Sequence, residues 1–380
     1  MKICAIICEY NPFHNGHLYQ ISEAKRLSSA DAVLCLMSGN FVQRGDAAII
    51  NKYTRARHAV QAGADIVVEL PTVFATSNAE LFAKGSIHLL SSIPAVSVLC
   101  FGCESAEKDA FLKAAKLLNN EPNEVSEKIK IATANGTSYV KARADAWAEK
   151  IPYDMLSSPN NILGLEYTKA ILLNNADIDI LPIARIGANY NDAQLKNNYS
   201  SASAIRAAIA NKTDFGNNLP DFAAKDLPSQ LQNCLDVLEK YAILSCVPEK
   251  IAAVCDCKEG LEHAFKKAAT QSLPLVKALT SPRYTSARIN RIALQNLLGI
   301  EERFIRACLS NPLYYSVLSA NKARSDVLSA LGEAKFPLII RAHDENALSD
   351  IAKECFEKDL FASAVHNLLY PYFALKNIFI

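Results

Sequence analysis

The sequence predicts an α/β fold with a parallel sheet, continued by a mainly α-helical C-terminal region, and three observations predict it. The chain opens on an apolar run, Ile3–Cys8, that meets an Asn11-Pro12 breaker before a helical pattern begins. Further apolar runs of strand length alternate with helical patterns through the first half. Beyond a Gly/Asn/Pro-rich stretch at 211–220 the pattern turns almost wholly helical.

Each element follows in order. After Ile3–Cys8 comes a helix over about Leu18–Leu27, then a second strand, Ala32–Ser38. A loop of glycines and polar residues, Gly39–Gly45, leads to a helix near Tyr53–Ala62. The strand Asp65–Leu70 ends at Pro71, a helix spans Ala79–Leu90, and the strand Val96–Phe101 is expected to stop at Gly102. Strands and helices interleaved in this way imply right-handed crossovers and a parallel sheet covered on both faces. Residues 106–150 read as a helical insertion with segments 106–118, 122–134 and 138–149. Ser157–Asn161 is a turn and capping cluster ahead of a helix through Asn174. A strand over Asp177–Ile186, a polar loop over Gly187–Ser200 and a helix opened by Ser201–Arg206 complete a first domain, 1–215. The second, 216–380, is expected to hold helices at 226–244, 247–256, 259–270, 286–298, 301–309 and 346–370, with one strand, Ala334–Arg341.

The bulk numbers restrict the class. With 380 residues, half of them hydrophobic, 21% charged and a net charge of +1, the chain has the make-up of a soluble globular protein. No apolar run approaches the ~18–20 residues that span a bilayer, and the N-terminus enters a strand pattern without the basic region of a signal peptide. A cytoplasmic protein without membrane attachment is expected. The cysteine count, eleven, is odd, and Cys4, Cys8, Cys35 and Cys100 sit inside apolar strands, as reduced, buried thiols do. Cys100-x-x-Cys103 and Cys255-x-Cys257 have no second pair at metal spacing, so no metal site is predicted.

The chemistry concentrates at His14-Asn15-Gly16-His17. Histidines three residues apart share one face of a helix's first turn. Gly16 between them lets a ligand approach the backbone, and the N–H groups and dipole of the helix end favour an anion. A histidine at a helix start often does no more than cap it. The position, in the first strand–helix turn of an open α/β sheet, favours a nucleotide's phosphates instead. Adenylyl transfer needs charge stabilised on the α-phosphate while an oxygen attacks and pyrophosphate leaves; fixed donors do this without a protein nucleophile.

Other residues carry two readings each. Gly102 at the sheet's carboxyl edge suits a nucleoside packed on bare backbone, or a strand terminator. Glu104 suits a ribose hydroxyl or a helix cap, and Asn160 and Asn161 suit a base or a cap. Arg185 can reach a phosphate or carboxylate, and Ser203 with Arg206 forms a second helix-start anion site. Arg44 can hold substrate or nucleic acid from its loop, or be a solvated charge. Lys277, Arg283, Arg288 and Arg291 with Tyr284 form the best basic–aromatic patch for RNA, although such runs are commonly solvated helix faces.

Several strings stand together in order: EYNPFHNGH (Glu9–His17), SGNFVQRGD (Ser38–Asp46), VVELP (Val67–Pro71), FGCE (Phe101–Glu104), SPNNILGLEY (Ser158–Tyr167) and RIGANYND (Arg185–Asp192). They resemble the bacterial tRNA(Met) cytidine acetate ligase family, a branch of the HxGH nucleotidyltransferases with a Rossmann-like catalytic domain. The later SASAIR (Ser201–Arg206) is similar to that superfamily's second phosphate motif, and RYTSARINR (Arg283–Arg291) is the clearest echo in the second half. The sequence departs from the family at Cys103, where serine is usual, at Asn191, where histidine is common, and at Ala204.

The resemblance implies an enzyme that activates acetate with ATP as acetyl-adenylate. The enzyme then passes the acetyl group to N4 of the wobble cytidine of elongator tRNA(Met), forming N4-acetylcytidine. Acetyl-CoA is not the donor, and Mg²⁺ is expected with ATP. By the same resemblance His14 and His17 are catalytic. The ATP site comprises Ile7, Cys8, Glu9, Tyr10, Asn11, Pro12, Phe13, His14, Asn15, Gly16, His17, Leu18, Tyr19 and Gln20, with Gly102, Asn160, Arg185, Ile186 and, from the second motif, Ser203. Contact with tRNA is expected from Arg44, Lys277, Arg283, Arg288 and Arg291. The rival readings are a small-metabolite adenylyltransferase or pantothenate-synthetase-like ligase, which has no need of a basic second half, and a non-catalytic RNA-binding module, against which the two histidines speak.

Overall fold

Every residue of the first strand, β1 (Ile3–Cys8), is buried, because the sheet around it is covered on both faces. Alternate side chains enter different layers. Ile3, Ala5 and Ile7 join one core with Leu34, Leu36, Ile66 and Val68, while Cys4, Ile6 and Cys8 join the other with Val33, Cys35, Met37 and Val67. The computed structural model describes residues 1–186, 198–228, 231, 234–370 and 378–379; positions 187–197 of the expected polar loop, Asn191 among them, lie outside these.

After β1 come α1 (Asn15–Ser28), β2 (Ala32–Ser38), α2 (Lys52–Gln61), β3 (Ile66–Leu70), the short α3 (Thr72–Ala75), α4 (Ala79–Leu90) and β4 (Val96–Cys103). The insertion supplies α5 (Lys108–Asn119), α6 (Asn123–Ala134), α7 (Tyr139–Trp147) and α8 (Tyr153–Ser157), and is followed by α9 (Pro159–Leu173), β5 (Asp179–Ala184) and α10 (Ala202–Ala210). Strands β5, β4, β1, β2 and β3 lie side by side in that order, all parallel. The winding reverses at β1, with β2 on one side and β4 on the other, so a crevice opens at the carboxyl ends of β1 and β4. One expectation needs correcting there. β4 does not stop at Gly102: Gly102 pairs with Ile183 and Cys103 with Ala184 inside the ladder.

The second half contains α11 (Asp221–Ala224), α12 (Leu235–Ser245), α13 (Pro248–Ala252), α14 (Leu261–Ala269), α15 (Leu275–Leu279), α16 (Ser286–Leu298) and α17 (Glu302–Leu309). Residues of α12–α16 close a third core around Ile243, Phe265 and Ile289. A strand that the sequence pattern does not predict follows: β6 (Tyr315–Ala320), buried throughout, enters the main sheet antiparallel to β3, with Val68 facing Val317. The expected strand Ala334–Arg341 is corrected to two residues, β7 (Leu338–Ile339), beside β6. The strand β8 (Ile378–Phe379) also pairs with β6. Before β7 stands α18 (Ser325–Gly332), and after it the long α19 (Asp350–Leu369). The sheet therefore takes strands from both sides of the boundary expected at 215/216.

Buried charge fixes the sheet's carboxyl edge. Arg55, wholly buried on α2, donates Nε to the Ile50 carbonyl (2.9 Å), Nη1 to the Glu9 and Ser38 carbonyls (2.5 and 3.2 Å), and Nη2 to that of Gly39. The ends of β1 and β2 are thus held by one guanidinium. Beside it Lys52 Nζ donates to both Glu69 carboxylate oxygens at 2.7 Å. From α19, Asp359 accepts from the Thr72 N–H (2.7 Å) and the Tyr314 hydroxyl (2.5 Å).

Candidate active site

The turn after β1 builds the site. His14 caps α1 in extended conformation (φ −142°, ψ 173°), its Nδ1 accepting the Gly16 N–H at 3.1 Å. In return the His14 N–H donates to His17 Nδ1 at 3.2 Å. The two imidazoles stack, with centroids 3.6 Å apart at 19°. Tyr10 and Phe13 enclose them, their rings 4.7 and 5.6 Å from His17. Burial, with Arg185 adding like charge, pushes His14 down to about 3, and burial with the His14 charge holds His17 well below the usual histidine range. Both rings are therefore neutral near pH 7. Since each Nδ1 is an acceptor, each proton sits on Nε2, which is the donor left for a ligand.

These rings lie in a cleft of about 180 Å³ lined by Ile7, Cys8, Glu9, Tyr10, Asn11, His14, His17, Gln20, Arg44, Gly102, Asn160, Arg185 and Ser203 among the sequence-expected residues. An adjoining recess of about 50 Å³ adds Gly16, Tyr19 and Ile186. Pro12, Phe13, Asn15 and Leu18 line neither; they support the turn. Asn11-Pro12 is a cis bend, Phe13 packs against Phe222, Leu18 packs on the second core, and Asn15 Nδ2 donates to the carbonyls of Asn198 (3.0 Å) and Asn217 (2.7 Å).

A second helix end faces the same cleft. Ser201 caps α10, its Oγ accepting the Ala204 N–H at 3.1 Å, and Ser201, Ala202 and Ser203 all line the cavity. Arg206, one turn on, donates Nη1 to the Asn11 carbonyl (2.6 Å) and Nη2 to Ser203 Oγ (3.3 Å), which ties α10 to the first turn. With two helix N-termini, Arg185 and Arg206 at one cavity, the chemistry on offer is the holding of a polyanion.

Glu104 resolves as a cap. Its oxygens accept from Asn160 Nδ2 (2.7 Å) and the Asn161 N–H (3.0 Å), while Asn161 Oδ1 accepts the N–H groups of Glu104 and Ser105. Asn161 is buried in this clamp, whereas Asn160 reaches the cleft wall. Sequence reasoning missed Val42, Gln43, Asp46, Phe82, Phe101, Leu163 and Tyr167 as lining residues. For Leu163 and Tyr167 the signal was available: they stand four apart on α9, on the side turned to the cleft.

The basic patch lies apart from these residues, except Arg44. Arg288 donates Nε and Nη2 to the Asp256 carbonyl (3.1 and 2.7 Å), and Arg291, with its side chain 12% exposed, lies 3.6 Å from the Asp256 carboxylate. Arg283 pairs with Glu259 at 2.8 Å, and the guanidiniums of Arg283 and Arg288 lie 5.7 and 5.0 Å from the Tyr284 ring. Lys277 is exposed. The Arg44 loop reaches this region: Gly45, at φ +79°, abuts the backbone of Asn290 and Arg291 so closely that a Cβ would not fit, and Asn290 Nδ2 donates to Asp46 at 3.2 Å.

A family model described as HIGH Nucleotidyl Transferase matches residues 1–377. A tRNA(Met) cytidine acetate ligase of Clostridium novyi is 40% identical over 319 residues, covering 79% of this chain and 80% of the relative. Another, from Caldanaerobacter subterraneus subsp. tengcongensis, is 35% identical over 398 residues, covering 100% of this chain and 98% of the relative. The chain belongs to the tRNA(Met) cytidine acetate ligase family of HIGH nucleotidyl transferases. Thermotoga maritima TmcAL superposes on this acetate ligase family member over the full length of both chains, with a TM-score of 0.91 at 28% identity for the apo crystal structure. The crystal structure of TmcAL bound with alpha-thio ATP gives 0.89 at 27%. Among the described residues no cluster of three or more His, Cys, Asp or Glu is disposed to hold a metal ion, and no helix is long and apolar enough to cross a membrane.

Proposed function

We infer that this protein is an ATP-dependent ligase that loads acetate onto AMP and transfers the acetyl group to N4 of the wobble cytidine of elongator tRNA(Met). The observation that carries the reading is the convergence of two helix N-termini and two neutral imidazoles on one cleft, in a chain related to such ligases over its whole length.

The steps follow from the donors present. ATP lies with its phosphates across the N-terminus of α1, where the Nε2–H groups of His14 and His17 meet the charge that grows on the α-phosphate as an acetate oxygen attacks. Arg206, Ser203 and the end of α10 hold the departing pyrophosphate, and Gly102, Arg185 and Ile186 border the nucleoside. Mg²⁺ would come with ATP on its phosphate oxygens, Glu9 and Asp46 being the carboxylates that line the cleft. In the second step N4 attacks the acetyl carbon, AMP leaves and N4 sheds one proton. An anticodon loop presents its base unpaired, so extrusion is easy.

Acetate offers little contact energy of its own, so ATP and tRNA do the positioning. We assign the tRNA body to 216–380, with Arg44 and the region of Lys277, Arg283, Arg288 and Arg291 on its path. Arg44 both lines the cleft and sits in the loop that abuts α16, which supports this route. The donor is free acetate rather than acetyl-CoA, and a tRNA substrate puts the work in the cytoplasm.

Mass spectrometry of tRNA nucleosides after incubation with ATP and labelled acetate tests the reading. Labelled N4-acetylcytidine is expected; ATP and acetate consumed without any tRNA product would point to a metabolite ligase instead.

A further inference from the structure

The inner end of the cleft differs in character from the phosphate end. Its walls are Phe82 from α4, Phe101 from β4, and Leu163 and Tyr167 from α9. Phe82, Phe101 and Tyr167 are only 2%, 4% and 4% exposed. The Tyr167 ring lies 6.4 Å from Phe82 and 6.0 Å from Phe101. Behind them the packing is closed. Phe101 sits edge-on to Phe111 at 5.2 Å and fills the space above Gly164, where any Cβ would collide with its ring. Such a wall gives way only at a cost in stability.

Polar groups at this end are few. Glu9 accepts the Gln43 N–H at 2.7 Å, which occupies one carboxylate oxygen. Burial raises Glu9, and the Gln43 hydrogen bond with the charges of Arg206, Arg44 and Arg55 offsets that rise only in part. The Tyr167 hydroxyl makes no hydrogen bond to any described residue, and burial, with the Glu9 carboxylate nearby, holds it well above the usual tyrosine range.

We propose that this inner end is the seat of the carboxylic acid, with the acid's methyl against Phe82, Phe101 and Leu163 and a carboxylate oxygen receiving the Tyr167 hydroxyl proton in a hydrogen bond. The wall then limits the acid to two carbons. This rests on the reading under Proposed function and adds the residues that choose the acid. The seat lies beside the end of β1, so an acid held there turns its free oxygen toward a phosphate at His14 and His17. That oxygen bonds to the α-phosphorus as the bond to the bridging pyrophosphate oxygen breaks, and no proton moves. The cytosine base is the rival occupant. Being tied to a polynucleotide it must enter from the rim, and its edge needs several donors and acceptors. The inner end offers apolar faces, the Tyr167 hydroxyl and the second carboxylate oxygen of Glu9, fewer groups than that edge needs.

The test is acid-dependent exchange of pyrophosphate into ATP by the full-length protein, with acetate, propionate and butyrate. Wild type should prefer acetate strongly. Leu163→Ala and the milder Phe82→Leu should each raise the propionate-to-acetate ratio of kcat/KM by about 10-fold or more, the usual worth of one methylene. Tyr167→Phe should raise the KM for acetate about 10-fold, as loss of a hydrogen bond to a charged group does, with the KM for ATP unmoved. Wall variants that remain folded and active but keep the wild-type chain-length preference would overturn the proposal. So would variants that change only the KM for tRNA, which would give the pocket to the base. If wild type shows no acetate-dependent exchange at all, the activity itself has been misread, a result distinct from a misplaced acid seat.

Discussion

His14 and His17 hold one another through a reciprocal pair of backbone contacts: the His14 N–H donates to His17 Nδ1, and His14 Nδ1 accepts the Gly16 N–H, with the rings stacked between. The same contacts that start α1 thus select the tautomer in which both Nε2 atoms carry a proton. A structural cap and a pair of ligand donors are one device. His14→Ala should lower acetate-dependent pyrophosphate exchange by about 10²-fold or more, the scale of one lost charge-stabilising donor, and cost ~1 kcal/mol as a lost cap. His14→Asn restores the cap but not the donor, so urea melts should recover while exchange should not.

Stability should fall in acid on account of these rings. His14 is held at about 3, against an ordinary value of 6.5 in the unfolded chain. Between those values the unfolded chain binds a proton that the folded one refuses, so stability rises with pH up to about 6.5 and is then flat for this group. The slope is ~1.4 kcal/mol per pH unit for each such histidine. His366, brought down to about 4 chiefly by burial, adds to the effect. Urea melts from pH 4.5 to 7.5 should show a shallower slope for His14→Asn than for wild type.

Lys52 sits buried between two carboxylates, those of Glu69 and Asp359. Burial pushes Glu69 up to about 7 against the pull of Lys52, and Asp359 is close enough to act on both. Lys52→Met should destabilise by about 3–5 kcal/mol, because it strands buried acids. The double variant Lys52→Met/Glu69→Leu should regain much of that loss in the same denaturant titration.

The basic patch divides into two kinds of residue. Lys277→Ala and Arg283→Ala should weaken tRNA binding and reduce its salt dependence by ~0.7–0.9 in log–log slope per lost phosphate contact, with acetate-dependent exchange unchanged. Arg288→Ala should cost folding stability as well, since that guanidinium holds the Asp256 carbonyl. Filter binding across a salt series, beside urea melts, separates the two.

What the sequence made legible was local. Strand, breaker, His14-Asn15-Gly16-His17 and helix are contiguous, and their chemistry shows in the order of the letters. Phe82 and Tyr167 reach the cleft only through the packing of α4 on α9, with Gly164 allowing the approach of Phe101, and no local pattern announces that. β6 is not announced by its sequence, because Tyr314-Tyr315-Ser316-Val317-Leu318 follows a run of amphipathic helices and lacks alternation. Its burial on both faces removes the period-2 signal. Ala334–Arg341 looked more strand-like, yet Phe336 is used to stack on Tyr315, with centroids 5.7 Å apart, and only two residues of that run pair. The basic patch was visible as charge, but Arg288 and Arg291 are engaged by Asp256, a partner too far along the chain for spacing to reveal.

The late arrival of β6 has a bearing on biosynthesis. On the ribosome β3 emerges early, yet Val317, the residue that faces Val68, is made only after all the helices from α4 to α17. At about 5–20 residues per second the nascent chain carries a bare hydrogen-bonding edge for tens of seconds. A fragment that ends near residue 215 never closes that edge and should aggregate, and the growing chain has its greatest need of a chaperone in this interval.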